Sequence, residues 1–239
     1  DQAAHIATVG KFLHQGQSCT AINRLLVHED LYERFLELFV AKVQALRVGN
    51  PADLATVIGP LIDAGQVQSL LDKVDASIAM GASPVLHGSV SGNLVEPTVL
   101  RDVTNEMPVA QKELLGPVAP VLRFSDDDEA VRLANATEYG LSAAVHSRDR
   151  ERAARLAQRL QTGMVHVNDT PVNDQPHVAF GGEKHSGLGR FGGDWAVESF
   201  TTLQWVSVQH EPRVYPEQFG LGAPEETELN VSEVMQTLH

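Results

Sequence analysis

The sequence has a single cysteine among 239 residues, so no disulfide can form within it, which excludes a secreted scaffold stapled by several bridges. It has no apolar run approaching the ~20 residues that span a bilayer. Its first residues lack the basic-then-apolar order of a signal peptide. Basic residues are scarce: 18 Lys and Arg stand against 31 Asp and Glu, a formal charge of −13. That balance disfavours nucleic acid and anionic membrane as partners. There are ten histidines, but no His-Glu-x-x-His and no cysteine pair, so no metal site is expected. Internal repeats and low-complexity tracts are also absent. These gaps leave a soluble cytoplasmic globular protein as the expectation.

What is present suffices for one core, with 43% hydrophobic and 21% charged residues. Leu31, Phe35, Leu38, Phe39, Val43 and Leu46 recur at helical spacing, which predicts an amphipathic helix over 31–47. Asp63 followed by Gln66 reads as a capping box opening a second helix with the stripe Val67, Leu70, Leu71, Val74 and Ile78. Ser125 and the acid run 126–129 begin a third, carboxylates at the end where the helix dipole favours them. A fourth is expected over 150–161, ended by Gly163. Short β-rich stretches at 25–27, 117–123, 142–145 and 164–167 lie between. The alternation predicts an α/β fold with helices on both faces of a largely parallel sheet.

The lone thiol, Cys19, lies in Phe12-Leu-His-Gln-Gly-Gln-Ser-Cys-Thr-Ala-Ile-Asn-Arg24. Gly16 supplies flexibility before it, and residues 18–22 read as a short helix starting near the sulfur. Unpaired N–H groups at a helix start favour a thiolate, the nucleophilic form. Downstream, Glu113 precedes Leu-Leu and the turn-forming Gly116-Pro117. Farther on, Phe180-Gly-Gly-Glu-Lys184-His-Ser-Gly187-Leu-Gly189-Arg190 forms a polar, glycine-rich loop. Its Gly187-Leu-Gly189-Arg-Phe-Gly192 matches the dinucleotide pattern Gly-x-Gly-x-x-Gly, but no buried strand precedes it and no βαβ unit surrounds it, so the match is a decoy.

Four ordered segments resemble the aldehyde dehydrogenase superfamily: Phe12…Gly16-Gln17…Cys19…Arg24, Lys112-Glu113…Gly116-Pro117, Gly163-Met-Val-His-Val-Asn168 and Phe180-Gly-Gly…Lys184…Gly187…Gly189-Arg190. The resemblance runs to about Gln209. It implies a three-layer α/β sandwich with a mostly parallel sheet, the catalytic domain without its cofactor domain, general-base Glu or oxyanion-hole Asn. The chain is therefore expected to be a fragment, inactive alone, with residues 1–199 catalytic, 200–209 an oligomerisation strand and 210–239 a loosely held tail. By the same resemblance Cys19 is the nucleophile, Glu113 accepts from the ribose hydroxyls of NAD (or NADP), and Leu115 stands where the family has Phe. Phe180 borders the substrate pocket, with a core plug before Gly-Gly as its competing reading, and the loop 169–178 varies with substrate. The partner is a small-molecule aldehyde, and the strand Phe200–Gln209 makes a homo-oligomer. Finer likeness, in His14-Gln-Gly-Gln and Phe200-Thr-Thr…Trp205, points to benzaldehyde and vanillin dehydrogenases. A CoA-acylating semialdehyde dehydrogenase, a lens-type structural protein and a non-catalytic association module stand as alternatives.

Overall fold

The computed structural model describes residues 1–211 and 213–215. In chain order the elements are α1 (Gln2–Phe12), β1 (Leu25–His28), α2 (Glu29–Gln44), α3 (Ala64–Ala79), β2 (Ser83–Leu86), β3 (Val90–Ser91), β4 (Leu94–Val95), β5 (Thr98–Arg101) and α4 (Pro108–Gln111). They continue with β6 (Val118–Phe124), α5 (Asp127–Asn135), β7 (Tyr139–Gly140), β8 (Ser142–Val145), α6 (Arg150–Ala157), β9 (Met164–Val167), β10 (Glu183–Lys184) and α7 (Gly193–Phe200).

The main sheet has the order β1-β6-β5-β2, with β1 and β5 parallel to β6 and β2 antiparallel at the edge. Side chains alternate across it. Val118 and Leu122 of β6 join Val67, Leu70 and Val74 of α3 in one core cluster. Ala119 and Val121 join Tyr32, Leu36 and Phe39 of α2, with Ala4, Ala7 and Phe12 of α1, in the other. Because β6 is buried on both faces, it reads as an unbroken apolar run rather than an alternating one. Helix, sheet and helix make the expected three-layer α/β arrangement. The Tyr32 hydroxyl pins two layers together, donating to the Val121 carbonyl (3.1 Å) and accepting from Asp102 N–H (3.1 Å).

Several expectations shift. Strands β8 and β9 pair in parallel, but as a separate two-stranded sheet. Asp126, one residue past Ser125, caps α5 by accepting from Glu129 N–H (2.8 Å), while Glu129 reaches back to Ser125 N–H (2.9 Å). Helix α6 stops at Ala157, and Gly163 does not cap it. A Cβ there would lie 1.7 Å from the Gly181 carbonyl oxygen, so this glycine permits a close crossing of two segments. Phe200 is the last residue of α7 rather than the first of a strand. Residues 201–209 form no ladder within this chain. The chain divides after Phe200 into two units. Most of the expected tail, 210–239, falls outside the described residues.

Candidate active site

Helix α1 delivers the chain to the thiol through three successive left-handed residues, His14 (φ 52°), Gln15 (φ 58°) and Gly16 (φ 74°). Glycine is required at the third: a Cβ would sit 2.5 Å from the Gly116 carbonyl oxygen. Cys19 follows, exposed, in a turn closed by Ala21 N–H to the Ser18 carbonyl (3.0 Å). The expected helix start does not form. Ile22 N–H instead bonds the Gly10 carbonyl (3.0 Å), and Asn23 and Arg24 draw the chain outward into β1. Among the described residues nothing accepts from the Cys19 N–H.

Asn23 joins this turn to the Glu113 segment. Its amide donates to the Lys112 carbonyl (3.1 Å) and accepts from Leu114 N–H (3.2 Å), one bond on each side of Glu113. From α3, Gln66 donates to the Leu114 (2.8 Å) and Leu115 (3.1 Å) carbonyls. The expected capping box is thus half made. Asp63 accepts from Gln66 N–H (2.7 Å), but the Gln66 side chain is spent on the neighbouring loop. These bonds hold Leu115 at φ 42°, half-buried, with Leu114 fully buried and Glu113 exposed. Gln17 ties the thiol loop to the α3 entrance by accepting from Ile62 N–H (3.0 Å).

Two cations of the motif segments hold a helix end rather than a ligand. Arg24 donates to Asn105 Oδ1 (2.6 Å) and to the Leu133 and Ala134 carbonyls (2.8 Å each). Burial pushes its pKa down to about 10, so it stays charged at neutral pH. Lys184 donates to the Asn135 (2.7 Å) and Thr137 (3.1 Å) carbonyls. Burial, then the Arg24 charge, lowers its pKa. Both meet the C-terminal end of α5, where its dipole and its last carbonyls, which the helix's own N–H groups do not saturate, favour positive charge.

The loop 169–178 reaches the thiol loop's base. A Cβ on Gly10 would lie 2.6 Å from Thr170 Oγ1 and 2.9 Å from Ile22 Cδ1. Phe180 is half-buried, bridged to Phe191 through both backbone groups (2.8 and 2.9 Å) with ring centroids 5.0 Å apart. Among the described residues, no hydrogen bond or ring contact joins Phe180 to the Cys19 segment. The Gly187–Gly192 run follows only the two-residue β10, as the decoy reading expects. Cys19 and Glu113 are therefore brought into one unit by Asn23, which sequence reasoning missed. Its partners are 89 and 91 residues away, and no local pattern encodes them.

Comparison with known proteins adds the family. The profile of the aldehyde dehydrogenase family matches residues 1–206. The chain is 52% identical to a benzaldehyde dehydrogenase of Bacillus subtilis over 216 residues, covering 90% of this chain and 44% of that protein. It is 47% identical to a vanillin dehydrogenase of Corynebacterium glutamicum over 209 residues, 87% of this chain and 43% of that protein. A solved salicylaldehyde dehydrogenase of Pseudomonas putida, complexed with salicylaldehyde, superposes with a TM-score of 0.87 at 34% identity, over 90% of this chain and 45% of its own. The chain thus spans less than half the length of these relatives. The matching profile and the shared fold make it a member of the aldehyde dehydrogenase family.

Proposed function

We propose that this chain carries the thiol-bearing part of an enzyme that oxidises aldehydes, aromatic ones by preference, to carboxylic acids with a nicotinamide cofactor. The observation that carries the reading is the Asn23 bridge, which holds an exposed thiol turn and an exposed carboxylate as one unit. The aromatic preference rests on the benzaldehyde, vanillin and salicylaldehyde enzymes that it resembles.

The residues present fit such a cofactor. As a carboxylate Glu113 offers only acceptors, which suits vicinal ribose hydroxyls, and the peptides flanking it are held by Asn23 and Gln66. Cys19 Sγ, as thiolate, adds to the aldehyde carbon, and the carbonyl electron pair moves to oxygen as a thiohemiacetal forms. The Cys19 N–H, for which no acceptor is seen among the described residues, is proposed to donate to that oxygen. A bound nicotinamide would supply the acceptor for the hydride that leaves the thiohemiacetal carbon as its C=O re-forms. The carbon then stands as a thioester on Cys19, which activated water hydrolyses to the acid, returning the thiol. The relatives' remaining length is where the activating base and the rest of the cofactor site are proposed to lie, so the 239-residue chain alone is expected to be silent. NAD and NADP both suit this reading.

In the complete protein Cys19→Ala should abolish turnover while leaving the melting temperature almost unchanged, because the side chain is exposed. Glu113→Gln should raise the cofactor KM or slow hydride transfer about tenfold or more, one lost charge-assisted hydrogen bond being worth ~1.5–3 kcal/mol. Steady-state kinetics with benzaldehyde decides both. Normal turnover by Cys19→Ala removes the thiol mechanism, and an unchanged Glu113→Gln removes the ribose assignment.

A further inference from the structure

We infer that Asn23 is a positioning residue that sets where the Glu113 carboxylate stands relative to the Cys19 thiol; this rests on the ribose role proposed for Glu113. One planar amide spends its N–H on the Lys112 carbonyl and its oxygen on Leu114 N–H. Among the described residues neither of those groups has another partner. The two bonds bracket Glu113, whose side chain is exposed. Leu114 is fully buried with Asn23 in place, so loss of the Asn23 oxygen takes from its N–H the one acceptor it has among the described residues. The segment would then move to find an acceptor, with Gln66 still holding its far side at Leu114 and Leu115.

The thiol side behaves differently. The Cys19 turn is closed by its own Ala21–Ser18 bond, and its exit by Ile22 to Gly10. Cutting the Asn23 bridge therefore displaces the carboxylate and spares the nucleophile. That asymmetry separates positioning from general loosening, since a globally loosened site would lose both.

Asn23→Ala, Glu113→Gln and the double variant of the complete protein test this by cofactor KM and by the alkylation rate of Cys19 with iodoacetamide. Asn23→Ala should raise the cofactor KM between about 10- and 100-fold, as expected for an ångström-scale misplacement. Alkylation should stay within about twofold, because nothing at the sulfur has changed. In the Glu113→Gln background, the same change should add less than about twofold, coupled residues being non-additive. An equal rise in both backgrounds, or no rise in either, overturns the positioning role while leaving Glu113 its own. A silent Glu113→Gln overturns the ribose reading itself, and the Asn23 inference with it. Should Asn23→Ala not fold, Asn23→Leu removes both bonds while filling the amide's space without adding charge, and reads the same split.

Discussion

At the scale of single residues, Lys11 is a side chain that costs the fold stability. It lies in the last turn of α1 at 1% exposure, and burial pushes its pKa from 10.5 down to about 7. The unfolded chain holds that proton up to about 10.5 and the folded chain releases it above about 7, so between these values unfolding takes up a proton. Stability must then rise with pH across the window, and the residue is a net burden at neutrality. Lys11→Leu should stabilise the chain by several kcal/mol at pH 7, at ~1.36 kcal/mol per pKa unit before relaxation of the site is discounted. The advantage should shrink as pH climbs toward 10. Urea unfolding of both proteins at pH 7 and pH 9 measures it; parallel stabilities at the two values would show that the ammonium finds solvent. A motif residue can be just as structural: Arg24 stabilises the end of α5 and touches neither reacting segment's loop backbone. Cys19 was conspicuous as the lone thiol, and Glu113 through the Leu-Leu and Gly116-Pro117 that follow it and the family resemblance. Asn23 and Gln66 were not, because an amide's partners are set by tertiary approach rather than by spacing.

At the scale of elements, α3 links a helix cap to the site. Asp63 holds Gln66 N–H, and Gln66 in turn holds the Leu114 and Leu115 carbonyls. Asp63→Ala should cost ~1 kcal/mol, as a lost N-cap does, and should also raise the cofactor KM in the complete protein by loosening that first turn. Chemical denaturation with kinetics on the same preparation checks this; a stability loss with untouched KM separates cap from site. This start was legible because capping chemistry is local. So were β8 and β9, whose bounds match the β-rich stretches residue for residue. Helix α2 was legible in its apolar stripe: Phe39 and Val43 are buried and Phe35, Leu38 and Leu46 pack against the same core, while Leu31 is exposed and Tyr32 and Leu36, outside the stripe, are buried. The helix opens at Glu29, two residues before the expected start. Helix α1 was not legible, since its alanines, Gly10 and Lys11 give no apolar face distinct from a polar one. Nor was β5, whose Val99 and Leu100 are buried on opposite faces and so leave no alternation to count.

At the scale of the whole molecule, the segment 201–209 carries apolar side chains on alternating positions, with Leu203, Trp205, Val206 and Val208 exposed and no strand formed in this chain. An exposed apolar stretch of this kind is suited to joining a sheet edge, and its proposed role is pairing with a second copy. Trp205→Glu in the complete protein should shift sedimentation toward monomer at micromolar concentration; an unshifted boundary, or a monomeric parent, ends that reading. The long separations inside the site have a kinetic consequence. Strand β1 finds β6 across roughly the same stretch of chain as Asn23 crosses to Leu114. Parallel pairing of this kind closes a long loop before any contact repays it, which slows folding. The cradle around Glu113 therefore cannot assemble as an early local unit. It arrives together with the central sheet, so a newly made chain presents its bare thiol to the surroundings well before it has a site to use it in.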